Sequence, residues 1–314
     1  MNARQIKFLP RLSIRPIRHN DEQALPNARE IDAYAANGHV VTRRIFSDAE
    51  IALAIKAADE IYAGRRDVRL WSDKSRSYLD WKPGSPDHIR INDFIALQSE
   101  KIRRLLENPL LGATAARLAN TRTVRLFNSS LIYKPPYGIR KSGDERVGWH
   151  TDHAYWPTCT STNMLTVWIP MQDANEANGG LRFINGSHRW EDREDLRLLR
   201  SEKNFICDDH HKLNSRLANL GFETSEVCPS VPAGHMSVHH CLTLHSSGIN
   251  LSNKPRIALA IHLQDEDNTY QRHLVDGRPF VYSHDYLCRT LDGHPDYTDP
   301  DVCPVLWSNM ESTD

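Results

Sequence analysis

Two periods divide the chain. Up to about residue 120, apolar positions recur at three and four, the spacing of one helix face; from about Thr123 they alternate, the spacing of strands. Ser47-Asp48-Ala49-Glu50 reads as a capping box, in which the Ser47 hydroxyl accepts a free amide and Glu50 reaches back. Ile51, Ile55, Ala58 and Tyr62 then share a face until Gly64. A second helix is expected over 94–106, stopped by Pro109, and a third around Leu111, Ala115 and Leu118. All three read as scaffold. Strands are expected over 124–134, 163–171, 180–185, 235–240 and 256–264, short and separated by Gly, Pro and Asn turns. Helices followed by many short strands imply an α+β fold around a β-sandwich or barrel.

The last of these strands carries the clearest parity. Arg256, Ala258, Ala260 and His262 fall on one face, and Ile257, Leu259, Ile261 and Leu263 on the other. The aliphatic face should pack outward against the helices. The small alanines then leave room beside Arg256, whose planar fork suits a carboxylate.

Candidate chemistry sits upstream. In Gly148-Trp149-His150-Thr151-Asp152, an extended chain turns His150 and Asp152 to the same side. One imidazole and one carboxylate need a third donor to complete a facial metal triad that leaves open positions on the ion. His-x-Asp is common by chance, so alone it signifies little. The candidate third ligand is His245, in Leu244-His245-Ser246-Ser247-Gly248, with Arg256 eleven positions further on.

Composition narrows the class. The 314 residues are 39% hydrophobic and 25% charged, an ordinary globular balance, and a net charge of -1 provides no global field for nucleic acid. No apolar run is long enough to span a bilayer, and the start of the chain lacks a secretory apolar core. It is basic instead (Arg4, Lys7, Arg11, Arg15, Arg18), which reads as a flexible arm more simply than as a transit peptide. Six scattered cysteines form no CxxC pair, so a zinc ribbon is not expected, and reduced thiols in a reducing compartment, the cytoplasm, are. Organelle import stays open.

Several motifs in order resemble one family. Trp149-His150-Thr151-Asp152, Thr166-Val167-Trp168-Ile169-Pro170, Gly179-Gly180-Leu181, Gly186-Ser187-His188-Arg189 and His245-Ser246-Ser247-Gly248 with Arg256 look like the phytanoyl-CoA hydroxylase family. The likeness runs from Ala36-Asn37-Gly38-His39-Val40-Val41 to about Gln264. It implies a double-stranded β-helix, a cupin-like jelly roll with N-terminal helices packed on it. It also implies an iron(II)-dependent dioxygenase that consumes 2-oxoglutarate and O2, releases succinate and CO2, and hydroxylates a small organic molecule. Carried over by position, His150, Asp152 and His245 match the iron ligands. Arg256 and Ser247 match the holders of the distal 2-oxoglutarate carboxylate, Trp168 and Ser130 line that pocket, and Arg90 matches an upstream basic residue. Asp152 stands where related halogenases carry a small residue, which favours hydroxylation or desaturation.

Asn185 and His235 depart from the family pattern in turns, where only local structural effects are expected. His188 should make a structural hydrogen bond, one of His239 and His240 should face the barrel interior, and His210-His211 should lie in a solvated loop. The expected architecture is one catalytic domain: 1–120 mainly helical, 121–265 the jelly roll, and 266–314 an extension that is either packed or a lid. Substrate contacts are expected from His153, Tyr155, Trp156 and His262. Arg140 and Lys141 are the nearest thing to a basic cluster, too little for a compelling CoA cleft, so a small molecule is the expected partner, with neither nucleic acid nor membrane. Two other readings stand beside this one: a non-redox metal hydrolase or isomerase, which has no use for Arg256, and a non-catalytic binding module, which has no use for the triad.

Overall fold

The computed structural model describes residues 8–72, 74, 81–85, 89–137, 146–190, 215, 217–219, 221–222 and 224–309. The basic residues before Phe8, the Arg140-Lys141 pair and His210-His211 lie outside these. Helix α1 (Ala28–Asn37) is capped by Asn27 and ends at Gly38, whose φ of 80° only glycine adopts readily. Helix α2 (Asp48–Tyr62) opens on the expected capping box, Ser47 with Glu50. The expected helix over 94–106 breaks in two. Phe94 is left-handed (φ 56°) before a 3-10 turn, Ile95–Leu97, and Ser99 caps a separate α3 (Glu100–Leu105) through the Ile102 amide. Pro109 begins α4 (Pro109–Ala119) rather than ending its predecessor, since a first-turn proline gives up no hydrogen bond.

Two antiparallel sheets face each other. The first 120 residues are less purely helical than expected, because β1 (His39–Val41) and β2 (Arg90–Asp93) both join the larger sheet. The core strands are β3 (Thr123–Lys134), β4 (Val147–His150), β5 (Leu165–Pro170), β6 (Leu181–Ile184), β7 (Glu226–Val227), β8 (Ser237–His240), β9 (His245–Ser247) and β10 (Arg256–Gln264). Beyond them come the hairpins β11 (Leu274–Val275) with β12 (Arg278–Pro279) and β13 (Thr290–Leu291) with β14 (His294–Pro295), then β15 (Val305–Ser308). The larger sheet runs β1-β8-β5-β10-β3-β15, with β2 also on β3; the smaller runs β4-β9-β6-β7. This is the expected jelly roll. The segment after residue 265 is thus partly built into the core, since β15 pairs with β3.

Parity on β10 holds. Ile257, Leu259, Ile261 and Leu263 pack in one cluster with Ile51, Ala54 and Ala58 of α2 and Leu111 and Ala115 of α4. Ala258 and Ala260 instead join Trp168, Leu181 and Phe183 between the sheets. Leu259→Ala should therefore lower the unfolding free energy by about 2–5 kcal/mol. Leu251→Ala, at a side chain 55% exposed, should change it by no more than about 0.5 kcal/mol. Denaturant unfolding of the two variants checks this, and equal losses would contradict the burial of β10.

Candidate active site between the sheets

The smaller sheet brings the two histidines together. His150 ends β4 and His245 begins β9, and the two are paired residues in register, their ring centroids 4.2 Å apart. Each is fixed by a backbone carbonyl. His150 Nδ1 lies 2.8 Å from the Gly148 oxygen and His245 Nδ1 3.0 Å from that of Thr243. Donation from Nδ1 leaves Nε2 as the bare nitrogen in both rings. Thr151 stays extended, so the His-x-Asp parity survives although Asp152 already opens a 3-10 turn, Asp152–Tyr155. Asp152 Oδ1 then lies 3.9 Å from His150 Nε2 and 3.5 Å from His245 Nε2, all three residues buried.

The larger sheet holds the other carboxylate oxygen. Thr166 of β5 donates its hydroxyl to Asp152 Oδ2, and His239 Nε2 of β8 lies 3.1 Å from the same atom. His262 Nδ1 of β10 reaches the Thr166 hydroxyl at 2.8 Å. Burial alone pushes the Asp152 carboxyl up, but His245 and the hydrogen bond from His239 outweigh it and hold it well below the usual range. Burial lowers His150 to about 3 and His245 to about 4, so both are neutral near pH 7, the form that binds a metal.

Arg256 opens β10 on the same wall. It is 1% exposed, and among the described residues only Nη2 of its guanidinium has a hydrogen-bond partner, the Gly179 carbonyl at 3.1 Å; Nε and Nη1 are buried with none there. Burial pulls it down to about 10, still a cation. Trp168 lies against it, 5.4 Å from ring centroid to guanidinium carbon. The cavity between the sheets, about 460 Å³, is lined by His150, Asp152, His245, Arg256, Ser247, Trp168, Ser130, Tyr155, Trp156 and His262 among others. Three buried donors of mixed nitrogen and oxygen type fit a divalent iron ion, and an arginine with two unanswered N–H groups fits a carboxylate beside it.

Two expected site residues lie elsewhere. Arg90 is not among the cavity-lining residues: its guanidinium sits 4.1 Å from the Tyr133 ring centroid and 4.2 Å from that of Trp81, held by cation–π contacts. His153 is also absent from the lining, because in a 3-10 turn Tyr155 eclipses Asp152 while the residue between turns aside. Other residues were not anticipated. Thr166 was legible from parity with Trp168. Ile91, Asp93 and Phe94 from the β2 region, and Phe280 to Ser283 from the tail, line the cavity without any local signal. Lys134, fully buried, donates to the carbonyls of Ser247 and Gly248 and anchors the end of β9. As expected, His188 makes a backbone hydrogen bond, to Ala35 at 3.2 Å. Asn185 and His235, the two departures, bond His39 and the Thr42 carbonyl.

Comparison with solved structures places the fold. The carbocyclase SnoK of nogalamycin biosynthesis, described as non-heme and alpha-ketoglutarate-dependent, superposes with a TM-score of 0.64 at 22% identity, covering 89% of this chain and 96% of that one. That likeness shows the fold; the buried His-Asp-His donor set and alpha-ketoglutarate-dependent relatives within one family define the class: the protein is an iron(II)/2-oxoglutarate-dependent oxygenase. The phytanoyl-CoA dioxygenase (PhyH) family matches residues 34–258, and the chain belongs to that family. A relative from Stutzerimonas stutzeri, described as a probable alpha-ketoglutarate-dependent hypophosphite dioxygenase, is 27% identical over 269 residues, 79% of this chain and 86% of its own length. The ectoine dioxygenase of Bordetella parapertussis is 25% identical over 253 residues, 77% of each chain. No described helix is long and apolar enough to cross a membrane.

The histidines make the metal-free protein acid-sensitive. His150, His240 and His245 have folded values of about 3, 4 and 4 against 6.5 when unfolded. The unfolded chain therefore binds more protons below pH 6.5, and stability falls as pH drops through that window. Metal-free protein should lose thermal stability steadily between about pH 6.5 and 4. A flat melting profile across that range would contradict the burial of these rings.

Proposed function

We propose that His150, Asp152 and His245 hold the iron, and that Arg256 and Ser247 bind the distal carboxylate of 2-oxoglutarate, with Trp168 and Ser130 beside it. The observation that carries this is Arg256: a buried cation with two N–H groups that meet no partner among the described residues, lining the same cavity as the triad. A non-redox hydrolase or a binding module has no need of it. When bound, iron and 2-oxoglutarate activate O2 and deliver oxygen to the substrate, with release of succinate and CO2.

The residues supply position and polarity. His150 and His245 present Nε2 because the Gly148 and Thr243 carbonyls hold Nδ1. Thr166 and His239 occupy Asp152 Oδ2, leaving Oδ1 turned toward the two rings. Trp168 and the alanines of β10 exclude water around Arg256, which strengthens a charge-assisted pair there.

The substrate reading is a small organic molecule that is not a polyanion, and the outcome a hydroxylation. Arg256 is the one Lys or Arg among the described lining residues, and Asp93 adds a carboxylate, so nothing there answers the phosphates of a CoA thioester. Relatives named for hypophosphite and ectoine support a small substrate. Tyr155, Trp156 and His262 from the core, and Phe280 to Ser283 from the tail, form its walls, which makes the tail part of the catalytic unit. We place the enzyme in the cytoplasm, where its cysteines stay reduced.

Succinate release from 2-oxoglutarate, with iron(II) and a metabolite library, tests the reading. His150→Ala should abolish it in a chain that remains folded. Arg256→Ala should weaken 2-oxoglutarate binding by about 2–5 kcal/mol, and Arg256→Lys should recover only part, because a point charge cannot reproduce the fork. Unchanged cosubstrate kinetics in Arg256→Ala would refute the assignment.

A further inference from the structure

A second group of metal-ligating side chains lies in the tail, apart from the triad. His284 stands in a 3-10 turn (Ser283–Tyr286), Cys288 follows four positions later, and Cys303 returns from the loop before β15. Their donor atoms all lie within 4.8 Å of one another. His284 is 0% and Cys303 1% exposed, while Cys288 is only partly buried.

The environment of His284 is unusual for a buried imidazole. His150 and His245 give Nδ1 to a backbone carbonyl, whereas both ring nitrogens of His284 meet only sulfur among the described residues. Nδ1 lies 3.6 Å from Cys288 Sγ; Nε2 lies 3.9 Å from Cys288 Sγ and 3.3 Å from Cys303 Sγ. Thiols are weak hydrogen-bond partners, so this ring is poorly satisfied by the protein alone. Phe127 packs against it at a centroid distance of 4.4 Å and Tyr297 at 5.3 Å, which fixes its orientation. Tetrahedral zinc with bonds of about 2.3 Å to sulfur and 2.0–2.1 Å to nitrogen sets S···N edges of about 3.6 Å. The Cys303 distance is close to that value, whereas Cys288 Sγ, nearer Nδ1 than Nε2, lies beside the ring edge and has to swing toward Nε2 to join the ion.

We propose that His284 Nε2, Cys288 Sγ and Cys303 Sγ form a binding site for a zinc ion that clamps the tail to the core. Two thiolates neutralise the dication, which suits a buried site; their two protons pass to solvent as the two S–Zn bonds form. The partly exposed Cys288 side provides access and room for water as the fourth ligand. The clamp fastens the turn directly after Phe280 to Ser283, the tail's contribution to the cavity wall, to the segment that leads into β15. Its role is structural, and it holds one side of the substrate cavity in place.

The test uses the full chain carrying His150→Ala and His245→Ala, so that bound metal reports this cluster and not the triad. After zinc sulfate and gel filtration, elemental analysis should find one zinc per chain, and cobalt(II) in its place should show thiolate-to-metal charge-transfer absorption. Adding Cys288→Ser and Cys303→Ser should bring zinc to background with the circular dichroism retained. Should that variant not fold, zinc on the cysteine-intact chain should still slow alkylation of Cys288, read by peptide mapping, roughly tenfold or more. Background zinc in the cysteine-intact chain, cobalt without thiolate bands, unchanged alkylation, or a Cys288–Cys303 disulfide in anaerobically isolated protein would each overturn the site.

Discussion

A carboxylate buried between two sheets must be answered from both of them, and Asp152 is that carboxylate. Desolvating an ion is tolerable only when its lone pairs are filled. The larger sheet fills one oxygen through Thr166 and His239; the smaller sheet turns the bare Nε2 atoms of His150 and His245 toward the other, an arrangement that a cation held among the three would satisfy. The polar site is therefore also the join between the sheets. Thr166, His239 and His262 come from three neighbouring strands, and the register of β5 against β8 and β10 sets Thr166 opposite both His239 and His262. A slip of one residue in either pairing would turn these donors away from the carboxylate.

The same period-two constraint separates stability from chemistry on β10. One face closes the hydrophobic layer under the helices, and the other carries Arg256 and His262 into the cavity with alanines between them. Arg256 stays charged in a buried position with few protein partners among the described residues, an arrangement that the carboxylate proposed for it would complete. Lys134, opposite Arg256 on β3, satisfies itself on the carbonyls after β9, so of these two buried cations one is spent on the fold, while the other keeps N–H groups that meet no acceptor among the described residues.

The tail ties these elements to the outside. It supplies a strand to the larger sheet, a wall to the cavity and, through His284, Cys288 and Cys303, a cluster suited to a soft ion. A wall made from a segment so rich in turns needs fastening, because short hairpins such as β11–β12 and β13–β14 have little stability of their own. The aromatic packing of Phe127, Tyr282 and Tyr297 around His284 supplies part of it.

What the sequence determined by itself was whatever depends on local geometry or on residue order. The capping box at Ser47, the parity of β10 and the His-x-Asp pair followed from periods of 3.6 and 2, and the ordered motifs marked the family and with it the jelly roll. The tertiary structure decided what depends on contacts between distant segments. The break at Ser99 and the restart at Pro109 were set by packing and capping in competition with helical propensity. His153 and Arg90 were turned away from the cavity by a 3-10 turn and an aromatic box, neither of which has a periodic signature. Asp93, Phe280 and the meeting of His284 with two cysteines 4 and 19 positions on depend on where β2 and the tail cross the sheets. Their separation along the chain carries no trace of that proximity, because side chains converge through sheet topology and not through sequence spacing.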